Sequence, residues 1–293
     1  MNWALTLALD ATSILNSLMQ KENKLTAMKA ALIVPRVTTN LATNLITVER
    51  MATDAVSAGA KLILLPEAVL TGLVNNDDPS HDLPLGQTIP GPATYELGGF
   101  SRRYGVWLGF GMLEREDSRL YDSAVLLGPE GSIVLKYRRN QPQWHGKKAD
   151  PTVYCQGSNI GVAQTPFGTL VFLLCGDLFD DGILSQFRSL RPDWLLFPFT
   201  RCFSDGTANQ VRWDTEELPE YVARIKMAET PALMVNYLAD SSLADDNSFG
   251  GAFAVSAQGE VIARYPLGVE GMLIVDIQEA SNQPMQATAN SHA

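Results

Sequence analysis

Short apolar runs alternate with amphipathic stretches along the first third of the chain. Ala30 to Val34 is uninterruptedly apolar and predicts a buried strand. Leu45, Val48, Ala52, Ala55 and Val56 recur at three- and four-residue steps, which predicts a helix ending near Gly59. Leu62 to Leu65 is the next apolar run, closed by Pro66. Two strands joined by a helix form a βαβ unit, so they should lie parallel and adjacent. Glu67 follows at the carboxyl end of the second strand. In open α/β sheets that is the end where sites are built.

The pattern then continues with strands and hairpins. Asn75 to Pro92 is rich in Asn, Asp, Pro and Gly and predicts a long loop. A helix is expected over Tyr95–Tyr104 and a strand over Val106–Leu113. Ser123–Leu127 and Ser132–Lys136 pair around Gly128-Pro129-Glu130-Gly131. Arg138 to Asn159 is irregular. A second hairpin turns at Pro166-Phe167-Gly168 and leads into the apolar run Leu170–Leu174. Helices over Ile183–Leu190 and Glu220–Glu229 alternate with strands over Trp194–Phe197 and Ala232–Val235. Strands over Ala252–Val255, Val261–Tyr265 and Leu273–Val275 complete the pattern. No repeat of fixed period and no linker interrupts residues 28–278, which predict one domain.

The ends differ from this body. Residues 1–27 place Leu5, Leu9, Ile14, Leu15 and Leu18 at helical spacing, carry Asp10 and lack a positive leading segment. They are expected to be either an appended amphipathic helix or the product of an upstream start codon, rather than a signal peptide. Residues 279–293 are rich in Ser, Asn, Gln, Pro and Ala and are expected to be a flexible tail.

Composition narrows the functional classes. The chain has 293 residues, 46% hydrophobic and 18% charged, and a formal net charge of −10. That balance suits a globular protein and disfavours nucleic acid or an anionic membrane surface as partner. No apolar run approaches the ~20 residues of a membrane span. Three cysteines without a Cys-x-x-Cys pair suggest neither a disulfide framework nor a zinc knuckle. Three histidines give little material for a metal site or a His-based triad, and no cofactor motif is present. A reducing, cytoplasmic compartment is the simplest expectation.

The candidate chemistry sits where the Leu170–Leu174 run stops, at Cys175-Gly176-Asp177. Such a turn presents a thiol at a strand end, and the glycine lets a backbone N–H approach a reacting carbonyl. A cysteine nucleophile needs a base or a cation beside it. Taken alone, Glu67 fits a solvated loop carboxylate and Cys175 a small buried hydrophobe.

Their contexts together resemble the nitrilase superfamily of carbon–nitrogen hydrolases. The matching stretches are Leu64-Leu65-Pro66-Glu67-Ala68-Val69-Leu70-Thr71-Gly72, Lys136-Tyr137-Arg138-Arg139 and Leu174-Cys175-Gly176-Asp177. Weaker matches are Ala223-Arg224-Ile225-Lys226-Met227-Ala228-Glu229 leading to Asn236, then Gly250-Gly251-Ala252 and Gln258-Gly259-Glu260-Val261. The resemblance implies an α/β fold, a four-layer α-β-β-α sandwich assembled into homodimers or larger homo-oligomers. It implies an amidase acting on a small linear amide or N-carbamoyl compound through a Cys175 thioester, with Glu67 as the base and a lysine as the oxyanion cation.

The chain departs from that pattern at the lysine, whose place holds Arg139. Lys136, on the other face of the same strand, and the loop residues Lys147 and Lys148 are the other candidates for the cation. The second acidic position of the family falls at Asp150. Gly176 stands where an aromatic residue usually follows the cysteine. Thr200, Arg201 and Trp144 are the remaining candidates for substrate contact, with Arg201 suited to clamp a carboxylate. The departures leave a second expectation open, a non-hydrolytic member of the same fold that binds a ligand or a partner.

Overall fold

The computed structural model describes residues 27–243 and 246–278. The helix expected within 1–27, apart from its last residue, and the tail expected at 279–293 lie outside the described residues.

The first sheet contains β1 (Ala27–Val34), β3 (Ala60–Leu64), β4 (Trp107–Glu116), β5 (Arg119–Leu127), β6 (Ile133–Arg138) and β14 (Gly271–Gln278). Its order is β14-β1-β3-β4-β5-β6. The second contains β7 (Ala163–Thr165), β8 (Gly168–Phe172), β9 (Trp194–Pro198), β10 (Ala232–Val235), β12 (Ala252–Val255) and β13 (Val261–Tyr265). Its order is β13-β12-β10-β9-β8-β7. A small parallel pair, β2 (Arg36–Val37) with β11 (Leu238–Ala239), ties the two halves of the chain together.

Each sheet has a parallel centre and antiparallel flanks. Strands β1, β3 and β4 run parallel, as do β8, β9 and β10. The βαβ unit expected from the first apolar runs is therefore present. Helix α1 (Leu41–Ser57) crosses between β1 and β3, capped by the Asn40 side chain accepting from the Thr43 N–H at 2.9 Å.

Side-chain alternation along the strands assigns the layers. In β1, Ala30, Leu32 and Val34 join the core between the sheets, whereas Ala31 and Ile33 face the other way. The outward set packs under α1 and α2 (Pro92–Tyr104), through Val48, Met51, Ala52, Leu97 and Phe100. The outer face of the second sheet is covered by α3 (Asp181–Ser189) and α4 (Leu218–Ala228), through Leu184, Phe187, Tyr221 and Ile225. The result is a four-layer α-β-β-α sandwich. No described helix is long and apolar enough to cross a membrane.

Two boundaries moved in ways that matter below. The strand expected from Ser123 begins at Arg119, so β5 includes Asp122. The run expected to end in a strand at Leu174 leaves the ladder at Phe172, and Cys175 opens a short turn of 3-10 helix, Cys175–Phe179.

Candidate active site

The carboxyl ends of the parallel strands converge on one buried spot. Glu67 follows β3, Cys175 follows β8 and Thr200 follows β9. Arg139 comes from the neighbouring end of β6. Glu67 and Arg139 are 0% and 3% exposed, and the Cys175 residue is half-buried.

Close backbone approach sets Glu67 in place. The Gly111 N–H in β4 donates to the Pro66 carbonyl at 2.9 Å, and the Val69 N–H donates to the Gly111 carbonyl at 3.1 Å. A Cβ at Gly111 would fall 2.5 Å from the Glu67 Cα, so only glycine permits this packing. Residue Ala68, next to the acid, has φ +46, and Cys175 itself has φ +39. Both conformations are sparsely populated for residues with a Cβ and mark a thiol held on a strained turn. The Cys175 S–H donates to the Thr200 carbonyl at 3.5 Å. The Thr200 hydroxyl is buried beside Glu67.

Arg139 is the cation of this site. Its Nη1 lies 3.2 Å from Glu67 Oε1 and 3.4 Å from Asp122 Oδ2, and its Nη2 donates to Gln141 Oε1 at 2.9 Å. Its buried Nε–H has no partner among the described residues, so the fork keeps an unengaged donor. Surrounding carboxylates and the Cys175 sulfur outweigh the burial that opposes its charge, and the guanidinium stays protonated. Burial raises the Glu67 carboxyl from 4.5 to about 8, with the Cys175 sulfur adding to the rise and Arg139 opposing it.

Asp177 joins the guanidinium to the thiol. Its Oδ1 accepts from the Asn140 and Gln141 N–H groups at 3.0 and 2.8 Å. Its Oδ2 accepts from the Tyr137 hydroxyl at 2.6 Å and the Leu174 N–H at 3.0 Å. One carboxyl thereby ties the end of β6, just past Arg139, to the turn that carries Cys175.

The glycine after Cys175 has a steric reason. A Cβ at Gly176 would fall 2.4 Å from Arg139 Nη2 and 2.7 Å from Gln141 Oε1. The space that a side chain would occupy is filled by the guanidinium. Gly176→Ala is therefore expected to displace Arg139 and lower kcat/KM by about 10²-fold, the scale of a 1 Å misplacement. Kinetics beside a thermal melt check this. An Ala variant with wild-type kcat/KM would show that the guanidinium position is unimportant.

Several candidates do not reach this spot. Lys136 points to the opposite face of β6, as strand alternation requires, and its Nζ pairs with Glu114 Oε1 at 2.8 Å. Asp150 is exposed and caps its own turn, accepting from the Thr152 N–H at 2.8 Å and its hydroxyl at 2.7 Å. Lys147 and Lys148 are exposed on the same loop. Arg201 is exposed and pairs with Glu217 at two points, both contacts 2.6 Å. Trp144 is buried in a satellite cluster with Leu113, Leu120 and Tyr154 and does not line an entrance.

Two residues at the centre escaped the sequence reading. Asp177 lay within the Cys-Gly-Asp stretch without a role. Asp122 has no role in the sequence reading because the strand expected there starts at Ser123, four residues after β5 begins at Arg119. A carboxyl inside the largely apolar run Leu120–Leu127 was the available signal, since Asp is rarely fully buried without a partner.

Comparison with known proteins places this arrangement. The model of the carbon-nitrogen hydrolase family matches residues 28–286. A deaminated glutathione amidase from Yersinia enterocolitica is 25% identical over 234 residues, covering 74% of this chain and 76% of that protein. An omega-amidase from Xenopus tropicalis is 23% identical, covering 73% and 76%. Among solved structures, a carbon-nitrogen hydrolase from Helicobacter pylori superposes with a TM-score of 0.75 at 17% identity, covering 86% of this chain and 89% of that one. An amidase from Nesterenkonia sp. superposes with a TM-score of 0.70 at 18% identity, covering 86% and 90%. With its sandwich fold and a family match spanning nearly the whole described chain, this protein belongs to the carbon-nitrogen hydrolase family, the nitrilase superfamily.

Proposed function

We propose that the protein is an amidase that releases ammonia from a small linear amide or N-carbamoyl compound through a thioester on Cys175. The observation that carries this reading is the convergence of a strained cysteine, a buried carboxyl and one buried guanidinium at the ends of parallel strands. The relatives lend support in kind. An omega-amidase and a deaminated glutathione amidase are among them, and a Nesterenkonia amidase carries the acetamide moiety of fluoroacetamide covalently at its active-site cysteine.

The chemistry follows from the groups present. Ionised Glu67 takes the thiol proton as sulfur attacks the amide carbon. The developing oxyanion is met by the unengaged Nε–H of Arg139 and by the backbone N–H after Cys175. The tetrahedral adduct collapses when Glu67 returns the proton to the departing nitrogen, leaving a thioester and ammonia. Glu67 then takes a proton from water, the hydroxide adds to the thioester, and the acid and the thiol are released. Arg139 serves here in place of the family's lysine. It carries the same charge, is planar, and spreads its donors over two carboxyls.

The test is ammonia release from a panel of small amides, carbamoyl amines and nitriles, with peptide mass mapping of enzyme quenched during turnover. Release together with an acyl adduct on the Cys175 peptide is expected. Release with the adduct elsewhere, or silence across the panel from folded protein, sinks the reading. Silence would favour a ligand-binding member of the fold.

A further inference from the structure

We propose that Asp122 is a positioning residue of this site, which keeps its proton and donates it as a hydrogen bond to Glu67 while Arg139 bridges the two carboxyls. The proposal rests on the reading of Glu67 as the reaction's base.

The geometry is that of two buried acids sharing one cation. Asp122 and Glu67 are 1% and 0% exposed, and a single nitrogen of Arg139 stands 3.4 Å from one and 3.2 Å from the other. Each acid also has an oxygen left over. Glu67 Oε2 and Asp122 Oδ1 are both buried without a conventional partner among the described residues. Two ionised carboxylates in this position would leave two uncompensated acceptors and one net negative charge out of water, which is strongly unfavourable. One proton placed between them removes both problems, because a protonated carboxyl donates and an ionised one accepts.

The groups facing the pair decide which acid holds the proton. Asp122, on β5, is faced by Glu67, Arg139 and Asp177. Glu67 is faced by Cys175, Arg139, Asp122 and the Thr200 hydroxyl. Burial holds the Asp122 carboxyl well above the ordinary carboxylate range, with the Glu67 charge and their mutual hydrogen bond adding to it and Arg139 opposing. The hydrogen bond from Asp122 acts on Glu67 in the opposite sense and favours its ionised form. Glu67 is thus the acid that opens to accept the thiol proton, and Asp122 is the one that stays closed.

Two variants and a spectroscopic readout test this. In Asp122→Asn an amide N–H replaces the carboxyl O–H as donor to Glu67. Its kcat/KM is expected within about threefold of wild type. Asp122→Leu removes the donor at similar volume. It is expected to lose about tenfold and to shift the ascending limb of its pH–rate profile to higher pH, because ionised Glu67 loses a hydrogen bond. An Asn variant as damaged as the Leu variant, or a Leu limb at the wild-type position, overturns the proposal. Infrared difference spectra of wild type minus Asp122→Asn, taken above the Glu67 titration, need no turnover. They are expected to show the C=O band of a protonated carboxyl. Its absence overturns the proposal whatever becomes of the amidase reading, and its presence in a protein silent on every amide would leave the proton assignment standing while the amidase reading fails.

Discussion

Replacing Arg139 by alanine is expected to lower kcat/KM at neutral pH by about 10³-fold or more. The loss has two physical sources. A preorganised donor aimed at a developing oxyanion is worth about 10²–10³-fold. The second source is the base itself. Arg139 is the first of the groups that oppose the rise of the Glu67 carboxyl, ahead of Asp122 and Thr200, so its removal pushes Glu67 above its present value of about 8. The base is then protonated over most of the working range, and the ascending limb of the pH–rate profile moves to higher pH. Stability should follow with a definite sign. A carboxyl whose folded value lies above its unfolded one costs stability as pH rises between the two. The gap in thermal stability between wild type and Arg139→Ala should therefore widen toward alkaline pH and narrow in acid, where both carboxyls are neutral. At its widest it should reach about 3–5 kcal/mol, the scale for unpairing a buried charge. Arg139→Lys restores the charge with a single point donor and should recover most of the rate while losing the bridge to Asp122. Steady-state kinetics and thermal denaturation across a pH series check all three statements. A variant Arg139→Ala that keeps its rate within about threefold would remove Arg139 from the chemistry and return Lys147 and Lys148 to consideration.

Much of this site was legible in the residues because its parts sit at pattern breaks. Glu67 and Cys175 each end an apolar run, and a polar group at the carboxyl end of a parallel strand is where α/β chemistry is placed. The opposition of Lys136 and Arg139 followed from the two-residue period of a strand, and the structure shows Lys136 paired with Glu114 on the far side. What escaped was set by long-range packing. That Arg201 is neutralised by Glu217, sixteen positions on, depends on how a loop folds back. That Asp150 caps its own turn is a local contest between solvent and site, which an exposed loop resolves in favour of solvent. The significance of Asp122 needed β5, β6 and the end of β3 to be brought together, and none of those contacts is close in sequence. Gly176 looked like a loss of the family's aromatic residue. Next to Arg139 it is the space that the larger cation requires.

Glu67→Gln is expected to move activity and stability in opposite directions. The amide keeps the shape and still accepts from Arg139, but it has no proton to take. The rate should fall by about 10²–10⁴-fold, the range attributed to general base catalysis. Stability should rise, and the pH dependence says where. The Glu67 carboxyl titrates near 4.5 when unfolded and near 8 in the folded protein. Between those values the folded state holds a proton that the unfolded state releases, so wild-type stability declines through that window and levels off above it. At about 1.4 kcal/mol per pH unit the full decline is up to about 5 kcal/mol. Glutamine carries no such term. The variant should match wild type near pH 4.5 and exceed it increasingly up to pH 8, as thermal melts at closely spaced pH values would show. If Glu67 were instead an ionised partner in a structural ion pair with Arg139, the same substitution would lower both rate and stability at neutral pH. A protein that becomes inert and more stable on losing one carboxyl is holding that carboxyl in an unfavourable state, and the strained thiol beside it supplies the reason.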